Sequence, residues 1–203
     1  MFTTQLSVES NDFEQARPDL ERVLFPIEMR IVERLYALCP EGYAADRAHD
    51  WESTAYWTRR VKETLKEVGE AEDLLVFPTL VRQGEEERFE GQWLLDLVWV
   101  DAKKDRITGE PDWKGTRGLK LACECEWATS ETKILEDFFK LTFAVADLRL
   151  FIYTNKQIRA GQASVDPIDL CKRACPLSHG FRYLALGFPY DRRGRFRIDS
   201  WIA

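Results

Sequence analysis

A chain of 203 residues with 45% hydrophobic and 32% charged residues has enough apolar material for one well-buried domain and too little length for two ordinary ones. That balance excludes a disordered or collagen-like chain, and no apolar run reaches the roughly 18 residues that span a bilayer, so no membrane partner is expected. The formal net charge of −6 is unevenly spread, with nine basic against four acidic residues from Lys156 onward; this basic C-terminal part is either a nucleic-acid footprint or ordinary surface charge.

From Pro18 to Leu38, the residues Leu20, Val23, Leu24, Ile27, Ile31, Leu35 and Leu38 recur at three- and four-residue spacing. The pattern predicts a helix that Pro40 ends and Pro26 splits or kinks. This N-terminal helical extension, residues 1–50, is a candidate homodimer surface. After the polar stretch Glu41 to Asp50 the core is expected to begin, running over residues 51–203. Ser53 to Val68 form a second helical pattern, with Trp57, Val61, Leu65 and Val68 on one face and Gly69 suited to the C-terminal cap.

Three apolar runs of strand length follow: Leu74 to Val81, Phe89 to Val100 and Leu119 to Trp127. Between the last two, Asp101 to Gly118 read as a solvated hairpin loop. Helical spacing returns from Glu131 to Val145, with Ile134, Phe138, Leu141 and Val145 in one stripe. Then come a short buried strand from Leu148 to Thr154, a helix near Pro167 to Ala174, a strand from Phe181 to Phe188, a turn at Asp191 to Gly194 and a last strand from Phe196 to Ile202.

Carboxylates interrupt two of these apolar strands. Asp96, between Leu95 and Leu97, reads as the middle of a strand buried on both faces, where an ionised group costs several kcal/mol unless it is paired or bound to a metal. Strand alternation puts Leu121, Cys123, Cys125 and Trp127 on one face and Lys120, Ala122, Glu124 and Glu126 on the other, so the two glutamates point the same way. Three converging carboxylates repel one another unless a cation joins them, and hard oxygen donors suit Mg2+ or Mn2+. The expected metal ligands are therefore Asp96, Glu124 and Glu126, and the expected chemistry is phosphodiester hydrolysis. The competing reading is a structural ion pair at Asp96 and an exposed strand face at Glu124 and Glu126.

The order helix, three strands, helix, strand, with Asp96 in the second strand and Glu124-x-Glu126 in the third, resembles the PD-(D/E)XK, restriction-endonuclease-like superfamily over about Trp51 to Thr154. The resemblance implies an α/β fold with a mixed central sheet flanked by helices, here with an extra N-terminal helix. It also implies a divalent-metal-dependent nuclease acting on nucleic acid, DNA before RNA, with Asp96 and Glu124 on the metal. Glu126 stands where that superfamily normally has a lysine that positions or activates the attacking water. Two outcomes stay open: a nuclease in which Glu126 and a relocated lysine complete the catalytic site, or a protein of the same fold that has lost cleavage and acts as a binding or assembly module.

Lys133, Asp137 and Lys140 share one helix face, and Lys140 is the first candidate for the relocated lysine, although its place opposite the apolar stripe also suits plain solvent exposure. Lys120 is a weaker substitute. The superfamily often uses a glutamate in its first helix; Glu63 and Glu67 both fall on the polar side of Ser53 to Val68. The five cysteines, an odd number, lack zinc-knuckle spacing and read as reduced, buried thiols. Together with an opening MFTTQLSVESNDFEQ that lacks the order of a signal peptide, they suggest a cytoplasmic location. His49 and His179 give little material for a histidine site, and Asp191 to Arg195 form a basic turn that could hold a phosphate backbone.

Overall fold

The computed structural model describes residues 3–10, 12–39, 54–77, 79–83, 86–90, 94–104, 111–112, 115–156, 158–160, 163–175, 180–189 and 195–203. A seven-stranded mixed sheet runs through it. In chain order its strands are β1 (Thr3–Ser10), β2 (Leu75–Phe77), β3 (Leu97–Val100), β4 (Leu119–Glu126), β5 (Ala146–Asn155), β6 (Arg182–Pro189) and β7 (Phe196–Ile202). The helices are α1 (Phe13–Glu21), α2 (Pro26–Tyr36), α3 (Thr54–Ala71), α4 (Glu131–Phe143) and α5 (Pro167–Ala174). Across the sheet the order is β1-β7-β6-β5-β4-β3-β2. Strands β2, β3 and β4 form an antiparallel meander, β4, β5 and β6 are parallel, and β7 and β1 are antiparallel to their neighbours. The segment from α3 to β5 thus has the order helix, three strands, helix, strand, with α4 as the crossover between the parallel pair β4 and β5.

Alternation along the central strands feeds two cores. Leu97, Trp99, Leu121, Cys123, Leu150 and Ile152 pack with Val61, Leu65 and Val68 of α3 and with the apolar residues of α1 and α2. Ala122, Phe151, Tyr153, Tyr183 and Trp201 pack on the opposite face with Ile134, Phe138 and Leu141 of α4 and with α5. The expected mixed sheet with helices on both faces is present. Among the described residues no helix is long and apolar enough to cross a membrane, and the five cysteines are free and buried.

Four local expectations are sharpened or corrected. Of the split or kink expected at Pro26 the structure has the split, because Phe25, preceding Pro26, takes an extended conformation (φ −70°, ψ 158°) and Pro26 opens α2 at its first turn, and the first of the two helices begins earlier than expected, at Phe13. Thr3–Ser10, unassigned from sequence, forms an edge strand on β7, with Leu6 and Val8 leaning on the core. The runs Leu74 to Val81 and Phe89 to Val100 each split. Only Leu75–Phe77 and Leu97–Val100 join the sheet, while Thr79–Gln83 and Glu86–Glu90 pair as a separate ribbon. A continuous apolar run shows that a segment is buried but not where it bends. Finally, α4 stops at Phe143, leaving Val145 exposed. The apolar stripe of the N-terminal segment, a candidate dimer surface, is covered within this chain: Leu20, Ile31 and Leu35 are fully buried. The stretch Glu41 to Asp50, the whole turn Asp191 to Gly194, His49 and His179 lie outside the described residues.

Arg149 fixes where α4 ends. It is 0% exposed, and its guanidinium donates to the carbonyls of Leu141 (3.0 Å), Ala146 (3.1 Å) and Ala144, with the Phe181 ring 3.6 Å from its centre. These carbonyls close the helix and its exit turn, which in isolation would lack donors. Burial holds the pKa of Arg149 below its usual value. Replacing Arg149 with Leu strands the carbonyls and should cost about 3 kcal/mol, or roughly 6–12 °C in Tm, in thermal unfolding.

Candidate active site

The carboxylates meet at the edge formed by the start of β3 and the end of β4. The register pairs Leu97 with Cys123, so Asp96, one residue earlier, lies beside Glu124. Asp96 is not the mid-strand residue expected. It closes a bend over residues 94–96, with its side chain 27% exposed. There its Oδ2 accepts from the Cys125 amide (3.0 Å), and its own amide donates to Glu124 Oε1 (3.3 Å). The aspartate is thus locked onto the β4 backbone while its second oxygen remains directed outward to Lys62.

Glu124 is 1% exposed. As alternation predicts, it shares the α4 face of the sheet with Glu126. Its Oε2 lies 3.3 Å from Lys140 Nζ, which also contacts Asp137 Oδ1 at 2.5 Å. Burial pushes the Glu124 carboxyl up to about 8, and the nearby negative charge of Asp96 adds to this; the opposing attraction of Lys140 is too weak to cancel them. For Lys140 itself, burial works against the charged form, but Asp137 and Glu124 outweigh it and raise the pKa. The Lys140 ammonium therefore remains a fixed positive charge. Rather than extending into solvent, it folds back over the sheet edge.

Lys62 was not foreseen. It projects from α3, on the opposite layer, and its Nζ lies 2.9 Å from Asp96 Oδ1 with the side chain 14% exposed. The sequence places it on the helix that carries Glu63 and Glu67, but a search for a glutamate passes over it. Those two glutamates pair elsewhere, Glu63 with Arg59 and Arg60 and Glu67 with Arg34. Lys120 pairs with Asp147 and Asp101 at the other end of the sheet, and Lys133 pairs with Glu136 on the exposed side of α4.

Glu126 is near but turned aside. Its Oε1 accepts from the Ala128 amide at 2.5 Å. Burial, and after it the neighbouring Asp137 carboxyl, raise its pKa. Among the described residues no group of three or more His, Cys, Asp or Glu is disposed to hold a metal ion. Asp96 and Glu124 are joined through the Asp96 amide. A cavity of about 550 Å³ opens beside them, between the first turns of α3 and the end of β4.

The elevated Glu124 pKa has a consequence for stability. Between about 4.5 and 8 the folded chain holds a proton at Glu124 that the unfolded chain has released. Unfolding free energy therefore falls as pH rises through that window, by roughly 5 kcal/mol, and levels off above it. In metal-free buffer with chelator, Glu124→Gln should melt progressively higher than the wild type as pH is raised from 5 to about 8; equal pH profiles would show that Glu124 is already ionised. Compared with known protein families, with characterised proteins and with solved structures, the chain has no significant match.

Proposed function

We propose that this protein is a divalent-metal-dependent nuclease of the restriction-endonuclease-like class, hydrolysing phosphodiester bonds in nucleic acid, with DNA the favoured substrate. The observation that carries the reading is the placing of Asp96, at the bend before β3, beside Glu124 of β4, bracketed by Lys62 from one layer and Lys140 from the other. The helix, three-strand meander, crossover helix and parallel strand around it supply the expected scaffold.

A small divalent cation such as Mg2+ or Mn2+ fits the donor set of Asp96 and Glu124. Such ions are commonly held by one or two carboxylates, with substrate phosphate and water filling the remaining positions, and the buried Glu124 lacks sufficient compensating charge. When bound, the ion supplies positive charge to the phosphate under attack. The protein's own contribution is electrostatic. Lys140, held charged by Asp137 and Glu124, is suited to stabilise charge on the phosphoryl oxygens rather than to remove a proton. Lys62 can exchange Asp96 for a phosphate oxygen as substrate arrives. Glu126, expected in the motif as a catalytic and metal-binding residue, is engaged by the Ala128 amide and takes no step in this reading.

A second reading, a degenerate nuclease fold acting as a binding or assembly module, is favoured by one observation: each central carboxylate already has an ammonium partner. The two readings diverge in calorimetry with MnCl2 and in cleavage of plasmid and single-stranded DNA by the same samples. Asp96→Asn and Glu124→Gln should each weaken Mn2+ binding at least about tenfold and reduce cleavage about a hundredfold or more. Site-specific binding without cutting would assign the second reading, and absence of site-specific binding would overturn the metal centre. Lys140→Met separates the roles further: cleavage should fall roughly 10- to 100-fold while Mn2+ binds as well as before or more tightly, because a competing cation has left Glu124.

A further inference from the structure

The cavity beside the carboxylates has a composition of its own. Thr54, Thr58, Arg59 and Lys62 of α3 form one wall, and Glu126 and Trp127 form the other. Trp127 is half-buried and held at three points. Its indole N–H donates to Thr58 Oγ1 at 2.8 Å, and its ring packs against Phe188 (centroids 5.6 Å apart, near edge-on) and Trp57 (6.5 Å). The aromatic wall is thus fixed before any ligand arrives. Lys62 belongs to two places at once, lining this cavity and contacting Asp96. Arg59 has an exposed pair with Glu63, of the kind that exchanges at little cost. Among the described residues of the walls the acidic group is Glu126, which is engaged by the Ala128 amide.

An aromatic face joined to cationic side chains and hydroxyls matches the chemistry of an unpaired nucleotide, whose base stacks while its phosphate is neutralised. The cavity, about 550 Å³, is large enough to admit one nucleotide. We infer that this cavity is the subsite for a single unpaired nucleotide, stacked on Trp127 with its phosphate on Arg59 and Lys62, so that the substrate class is single-stranded nucleic acid or a frayed end. The inference rests on the nuclease reading for the identity of the neighbouring site, but it concerns binding and stands apart from cleavage.

The test is fluorescence anisotropy with a labelled oligothymidylate and a labelled blunt hairpin duplex, in chelator so that no metal contributes. Wild type should bind the single strand about tenfold or more tightly than the duplex. Trp127→Ala should lose about tenfold in single-strand affinity, and Trp127→Phe, which keeps a ring, should stay within about threefold of wild type. Because Trp127 also packs in the core, Thr54→Glu is the second variant. It sets a negative charge in the cavity at an exposed first-turn position where an acid suits the helix, and it should weaken single-strand binding about tenfold with an unchanged melting temperature. No preference for the single strand, or unchanged affinity in folded Trp127→Ala or Thr54→Glu, overturns the inference. Single-strand binding that depends on Trp127, without cleavage in Mn2+, supports the subsite while removing the nuclease reading. Cleavage that ignores Trp127 and Thr54→Glu does the reverse.

Discussion

The burial of one carboxyl group, that of Glu124, organises this part of the molecule. A side chain that is 1% exposed, beside a second acid and between two layers of apolar packing, is costly in its ionised form. Its neighbours act in both directions. The Asp96 charge adds to that cost, whereas the Asp96 amide donates a hydrogen bond to Glu124 and the Lys140 ammonium lies 3.3 Å away; the Cys125 amide together with Lys62 holds the Asp96 carboxylate in a defined orientation. A core built for stability alone would do better with a well-packed apolar residue at this position.

The fold brings the two lysines together from opposite sides. Lys62 is carried by α3 on the face where Cys123 and Cys125 are buried, and Lys140 by α4 on the face where Glu124 points. Neither helix alone can bracket the sheet edge. The position of α4 in turn depends on Arg149, which closes that helix only a few residues beyond Lys140 and in the same strand that receives the crossover. A side chain with no contact to the carboxylates thereby sets the reach of one that has it.

Much of this layout was legible in the sequence, and the parts that were not share a physical cause. Alternation in LKLACECE placed Glu124 and Glu126 on one face because a strand's period admits no other answer. The three- and four-residue spacing in α3 and α4 identified their core faces for the same reason. Asp96 was found, but its environment was misread: the apolar residues on both sides of it, from Trp93 to Val100, give no sign that the backbone bends over residues 94–96. Lys140 was ambiguous because a helical wheel gives direction and not reach, and a long side chain opposite the apolar stripe can still fold back over a sheet edge. Lys62 escaped notice because its importance comes from a contact 34 residues away, which periodicity within one helix cannot reveal. The edge strand Thr3–Ser10 has only Leu6 and Val8 to mark an inward face, too few for a pattern.

The sheet order carries a kinetic consequence. Strand β7 lies between β6 and β1, so Thr3 pairs with Ile202 across almost the whole sequence. Closing so large a loop yields no reward until both strands are present, which makes this pairing a late, slow event in folding. The meander of β2, β3 and β4 and the crossover to β5 draw on much nearer partners. During synthesis the carboxylate edge can therefore assemble while β1 still lacks its neighbour, leaving the backbone hydrogen-bonding groups of β1 open to other strands until β7 emerges to cover them.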